Sequence, residues 1–133
     1  DKGYYRFYNM HELERKGVSR LLLPVSASLL EACVLAILSR EDTYGYRLTQ
    51  ALTKSLGVSE SALYPVLRRL QKDGALTTYD VAISGRNRRY YRLSPHGEQL
   101  LEAYRAEWEV YKQSVEEILL RTEGEGPAPE ETR

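Results

Sequence analysis

The strongest constraint on this chain lies in residues 57–94, GVSESALYPVLRRLQKDGALTTYDVAISGRNRRYYRLS, where the apolar period changes abruptly from helical to extended. Leu63, Val66, Leu67 and Leu70 recur at i, i+3, i+4 and i+7, which predicts an amphipathic helix over 59–73. Its other face carries Ser61, Tyr64, Arg68 and Lys72 at nearly the same period. Gly74 then ends it, because glycine takes the left-handed cap conformation at little cost. Two extended runs follow, 76–83 and 88–94, rich in Thr, Tyr, Val and Ile and joined by Ser84-Gly85-Arg86-Asn87, residues suited to a hairpin turn. A helix with a cationic outer face and a hairpin with an arginine-rich tip together make the layout of a winged helix-turn-helix. The expected fold class is therefore mainly α with a small β-hairpin.

Charge points to what such a surface meets. The chain is neutral overall, with 19 basic and 19 acidic residues. Between positions 68 and 92, however, Arg68, Arg69, Lys72, Arg86, Arg88, Arg89 and Arg92 are set against only Asp73 and Asp80. Such segregation is the electrostatic footprint of a phosphate-binding surface. A merely solvated face would require two separate elements to become basic by coincidence.

Upstream, Ser28 with Glu31 forms a candidate capping box for a helix over 28–38. Residues 29–38 are apolar almost all round, so that helix needs cover from its own domain and from a partner. Thr43 is the candidate cap of a second helix over 44–55, with Leu48, Ala51, Leu52 and Leu56 on one stripe and Gly57 at its end. Residues 57–59 are then the turn of a helix-turn-helix. Pro65 removes a backbone donor and crowds the carbonyl four residues back. That favours Ser61 over Ser59 as the next cap, since Ser59 would put the proline inside the helix and kink it. Ser59, Ser61 and Tyr64, at the start of this helix, are the groups expected to reach into the major groove. Arg68 could reach a guanine edge or a phosphate.

Leu63-Tyr64-Pro65, Arg69-Leu70, Lys72-Asp73-Gly74 and Arg88-Arg89-Tyr90-Tyr91-Arg92-Leu93-Ser94 together resemble the signature of the PadR family of transcriptional regulators. Tyr44-Gly45-Tyr46 resembles that family's first helix-turn-helix boundary, and the likeness runs from about residue 28 to 121. The resemblance implies a cytoplasmic, homodimeric repressor that binds palindromic double-stranded operator DNA. With the patterning above, it marks Tyr44, Ser59, Ser61, Tyr64, Arg68, Lys72, Arg86, Asn87, Arg88 and Arg89 as DNA-binding residues.

Ser94-Pro95 is a strong helix start, expected to lead a helix to about residue 121. Leu101, Tyr104, Trp108, Tyr111, Val115 and Ile118 recur at alternating steps of three and four, the a/d seam of a coiled coil. Such a seam needs another helix over it, either a two-fold partner or the chain's own residues 1–38. A dimer to which both contribute is the reading favoured, with Leu101, Val115 and Ile118 in its interface. The resemblance adds that short-tailed members end in a single helix of this kind, and that a tryptophan spaced as Gly97 to Trp108 can line a pocket between protomers. Some members bind phenolic acids or flat cationic drugs there. Tyr104, Trp108 and Tyr111 are thus the expected effector-binding residues.

Other chemistries find no support. Cys33 is the only cysteine, which excludes an intramolecular disulfide and fits a reducing compartment. His11 and His96 are isolated, no serine has a nearby histidine, and Gly85 is a turn glycine. No enzyme activity, metal or cofactor is expected. The apolar run 32–38 is far too short to span a membrane. The rival reading is a winged helix used for protein–protein contacts without specific DNA binding. The expected organisation is an N-terminal arm over 1–23 with an aromatic cluster at Tyr4, Tyr5, Phe7 and Tyr8, the winged helix-turn-helix over 24–94, the dimerisation helix over 95–121, and a disordered acidic tail over 122–133. The chain does not open on methionine, so its first residues can be a processing remnant, with Met10 an alternative start.

Overall fold

The first apolar segment folds as helix α1, Ala27–Leu38, in a computed structural model that describes residues 25–121. The expected arm over 1–23 and tail over 122–133 lie outside the described residues. Ser26 caps α1, not Ser28: the Leu29 N–H donates to Ser26 Oγ at 3.1 Å. The capping box does not form, because Glu31 is drawn instead to partners on two other helices. Leu30, Val34, Leu35 and Leu38 are buried, whereas Leu29, Cys33, Ala36 and Ile37 stay partly exposed.

Thr43 does not cap the second helix. Thr43–Tyr44 form a short strand, β1, and helix α2, Gly45–Leu56, starts behind Tyr44 with no side-chain cap. Pairing with a later strand holds Thr43 and Tyr44 extended up to the first residue of the helix. Gly57 closes α2 at φ 68°, a left-handed conformation that favours glycine. Helix α3, Glu60–Lys72, is capped by Ser59, whose Oγ accepts from the Ala62 N–H at 3.3 Å. This corrects the expected cap at Ser61: Pro65 lies within α3, and the helix continues beyond it to Lys72. Ser61 and Pro65 are both exposed, so water can satisfy the carbonyl that the proline deprives of a donor.

Gly74 (φ 79°) ends α3 in a full Schellman motif: Ala75 N–H donates to Leu70 O at 2.9 Å and Gly74 N–H to Gln71 O at 3.1 Å. The chain continues into β2, Leu76–Ile83, and β3, Arg86–Leu93. Only Ser84 and Gly85 form the turn, with φ of 52° and 78°. Positive φ at both centres is what a two-residue type I′ hairpin requires, and its twist matches that of the strands. Arg86 and Asn87, expected in the turn, are therefore the first residues of β3.

The sheet is antiparallel in the order β1-β3-β2. β2 and β3 pair from Leu76↔Leu93 to Ile83↔Arg86, while Thr43 faces Tyr91 and Tyr44 faces Tyr90. Side-chain alternation therefore puts Leu76, Leu93, Tyr91 and Thr43 on the face toward the helices. It puts Tyr79, Tyr90 and Tyr44 in one row on the other face.

Helix α4, Pro95–Leu119, begins where α3 ended. Ser94 N–H donates to Ala75 O at 3.0 Å, its hydroxyl donates to Gly74 O at 2.6 Å, and the same oxygen accepts from Gly97 N–H at 3.0 Å. Gly97 is what allows the approach: a Cβ there would stand 2.2 Å from Ala75 O and 2.6 Å from Leu93 Cδ1. Leu101, one turn on, is 4% exposed and joins the core of Leu30, Val34, Leu35, Leu38, Leu48, Leu52, Leu63, Val66, Leu67, Leu70 and Leu76. Since backbone cannot yield as a side-chain tip can, Gly97→Ala should destabilise the fold by about 1–3 kcal/mol despite alanine's better helix propensity. Urea denaturation would show this as a lower midpoint; an unchanged midpoint would mean the junction has slack.

Candidate nucleic-acid interface

α3 buries Leu63, Val66, Leu67 and Leu70 and presents Ser61, Tyr64, Arg68 and Lys72 on its exposed side. Between α3, the start of α2 and β3 lies an open cleft of about 380 Å³, lined by Tyr44, Gly45, Tyr46, Tyr64, Arg88, Arg89 and Tyr91. Helix and wing residues expected to bind DNA are thus brought together: Tyr64 from one, Arg88 and Arg89 from the other. Arg86 and Asn87 stand exposed beside the hairpin turn. Ser59 is engaged as the α3 cap and lies 3.0 Å, oxygen to oxygen, from Ser61.

The cluster of cations divides into two sets. Arg69 pairs with Glu31, Arg89 with Asp80 at 3.5 Å, and Arg92 with Asp42 at 3.0 Å. Arg68, Lys72, Arg86 and Arg88 meet no carboxylate among the described residues. Arg89 and Asp80 are both well exposed, so that pair is weak and a phosphate can compete for the guanidinium.

Tyr44, expected to touch DNA, lines the cleft and also belongs to an aromatic row on the sheet. Its ring meets Tyr90 edge-on at 5.5 Å, and Tyr90 in turn stacks on Tyr79 at 5.5 Å. The row is closed at each end by a guanidinium, Arg88 at 4.4 Å over Tyr44 and Arg92 at 4.7 Å over Tyr79. Asp42 Oδ2 anchors it, accepting from Tyr79 OH at 2.7 Å and from Arg92 Nε. That hydrogen bond is the main reason the Tyr79 phenol is held above its ordinary pKa. The row ties the wing to the segment before α2 and sets where Arg88 sits.

Sequence reasoning missed Asp42 and Tyr79, whose roles depend on contacts 37 and 50 residues apart in the chain. It also missed Tyr46, which is 60% exposed at the cleft and accepts from Gln50 Nε2 at 3.0 Å. A signal for Tyr46 was available: it lies two residues before buried Leu48, off that helix's apolar stripe.

Along α4 the expected seam is corrected at one end. Leu101 belongs to the chain's own core and Tyr104 packs against its edge, so the apolar row left uncovered by the described residues lies beyond Tyr104. Trp108 is half-buried and 6.0 Å from Tyr111, while Ile118 is 79% exposed. Val110, Leu119 and Leu120 are exposed too. Among the described residues no group of three or more His, Cys, Asp or Glu could hold a metal ion, and no helix is long and apolar enough to cross a membrane.

Known proteins resemble this chain in sequence and in fold. A transcriptional regulator of Mycobacterium tuberculosis is 41% identical over 61 residues, which make up 45% of this chain and 57% of that protein. The crystal structure of smu.1704 from Streptococcus mutans UA159 is 42% identical and superposes with a TM-score of 0.70, covering 75% of this chain and 94% of that one. A PadR-like transcriptional regulator from Bacillus cereus is 35% identical with a TM-score of 0.65, covering 71% and 94% respectively. Residues 34–103, from within α1 through α3 and the wing into α4, match the profile of the transcriptional regulator PadR-like family, and the chain belongs to that family.

Proposed function

We propose that the chain is a homodimeric repressor that grips palindromic operator DNA with α3 and the wing. The observation that carries this reading is the cleft lined by Tyr64 of α3 and by Arg88 and Arg89 of β3, flanked by Arg68, Lys72 and Arg86, which have no carboxylate partner among the described residues. Ser61 and Tyr64, near the N-terminus of α3, suit contact with base edges in the major groove. Arg68 suits a guanine edge or a phosphate. Lys72, Arg86, Asn87, Arg88 and Arg89 suit phosphates and the neighbouring minor groove. Ser59 and Tyr44 act by holding Ser61 and Arg88 in place. The exposed apolar row on α4, with Val115 and Ile118 toward its end, supports a helix-to-helix dimer in the cytoplasm, where Cys33, its thiol pKa raised by burial, stays reduced and inert.

If each protomer neutralises about four phosphates, affinity measured by fluorescence anisotropy should fall with salt at a log–log slope of roughly −7. Arg86→Ala should make that slope shallower by about two for the dimer and weaken all duplexes alike. Ser61→Ala should leave the slope unchanged and alter the ranking of operators. Affinity that is flat with salt would favour the protein-interaction reading instead.

Release of the repressor by a small aromatic or cationic effector is the second part of the proposal. Tyr104, Trp108 and Tyr111 offer stacking and cation–π contacts worth about 0.5–2 kcal/mol each. Trp108 is the only tryptophan, so its fluorescence reports occupancy. Titration with phenolic acids and planar cationic dyes should find a compound that quenches it saturably and lowers operator affinity in parallel. Quenching without any change in DNA binding would reduce the site to a dimer contact.

A further inference from the structure

α1 packs against both α3 and α4, and one side chain on it makes a polar bond to each. The Glu31 carboxylate is largely enclosed, its side chain 13% exposed. Its Oε2 accepts from Arg69 of α3, through Nε at 2.8 Å and through Nη2. Its Oε1 accepts from the Tyr104 hydroxyl of α4 at 3.2 Å. Arg69 follows directly on Arg68, so the residue behind α3 that Glu31 holds is chain neighbour to one proposed to touch DNA. Tyr104 opens the aromatic row of Trp108 and Tyr111. Neither the DNA surface nor the aromatic row contains Glu31.

We infer that Glu31 is a positioning residue for operator recognition, tying α3 through Arg69 to α4 through the Tyr104 hydroxyl, so that a change in α4 at the dimer interface reaches α3. The inference rests on the DNA-binding reading above and deepens it. Apolar contacts between α1 and its neighbours are non-directional and tolerate sliding. The bonds of Glu31 are directional, charge-assisted and partly shielded from water, so they do not. Burial, and then the nearby carboxylate, hold the Tyr104 phenol above its usual pKa, which keeps it a donor. If Tyr104 turns away, Oε1 loses its donor in a largely enclosed place, which favours a shift of the carboxylate together with the Arg69 guanidinium still paired to it. A ligand or a partner helix that engages the Tyr104 hydroxyl thereby acts on α3 without touching it.

The test is a double-mutant cycle on DNA affinity, with Glu31→Gln, Tyr104→Phe and the two combined. The probes are a duplex that the wild-type chain selects from a random pool and an unselected duplex, and each variant is checked as a dimer by sedimentation. Each single change should weaken the selected duplex by roughly fivefold and the unselected one by less than about twofold, and the double variant should be no weaker than Glu31→Gln alone. If Glu31→Gln does not fold, Arg69→Lys, which keeps the charge but loses the two-donor grip, completes the same cycle. Losses that multiply in the double variant, equal losses on both duplexes, or no loss at all would overturn the inference while leaving DNA binding intact. Failure of the wild-type chain to select any duplex would overturn the regulatory reading, and the inference with it.

Discussion

The approach of α4 to the backbone of Ala75 is the contact on which the rest of the structure depends. Ala75 N–H closes the Schellman motif of α3, and its carbonyl accepts from Ser94, the last residue before α4. Ser94 in turn bonds Gly74 and caps α4 through Gly97. The exit of α3, both ends of the hairpin and the entry of α4 thus converge on a few backbone atoms. Only a residue without a Cβ fits at position 97. Because the bonds involved are short and mostly backbone, the end of α3, the base of the wing and the start of α4 are fixed to one another by stereochemistry.

A second layer of structure distributes the arginines. Arg69, Arg89 and Arg92 have carboxylate partners, and Arg92 and Arg88 lie over tyrosine rings. The row Arg88–Tyr44–Tyr90–Tyr79–Arg92 runs across all three strands on the outer face of the sheet and is fastened by Asp42. A hairpin standing alone would be marginally stable and poorly oriented. The short β1 and this row give it a fixed base, so the basic residues at its tip are presented at a defined angle to α3. Much of the arginine- and tyrosine-rich stretch 88–94 therefore serves to hold the wing, and the part left for DNA is smaller than its net charge suggests.

How much of this could be read from the chain follows from the range of each interaction. The period of Leu63, Val66, Leu67 and Leu70, the stop at Gly74 and the start at Ser94-Pro95 are local, and they matched the helices found. β1 escaped notice because two residues carry no period, and its only support is pairing with Tyr90 and Tyr91. Ser26 and Ser28, or Ser59 and Ser61, are chemically equivalent caps, and packing of the apolar face decides between them. Glu31 looked like half of a capping box because its true partners are 38 and 73 residues away. Leu101 satisfied the heptad spacing, but spacing cannot tell a residue facing its own core from one facing a second chain. The pairing of Tyr64 with Arg88 and Arg89 around one cleft likewise needed the fold.

If α3, wing and α4 form one stiff unit in each protomer, a dimer holds its two recognition helices at a set separation and phase. Operator spacing is then the most direct measure of the account. Duplexes carrying two selected half-sites should bind best with centres about one helical turn, roughly 10 base pairs, apart. Inserting about 5 base pairs turns one half-site to the opposite face of the DNA and should reduce affinity by at least about tenfold. Equal affinity at every spacing would mean that the two halves bind independently, and would contradict a rigid two-fold reader.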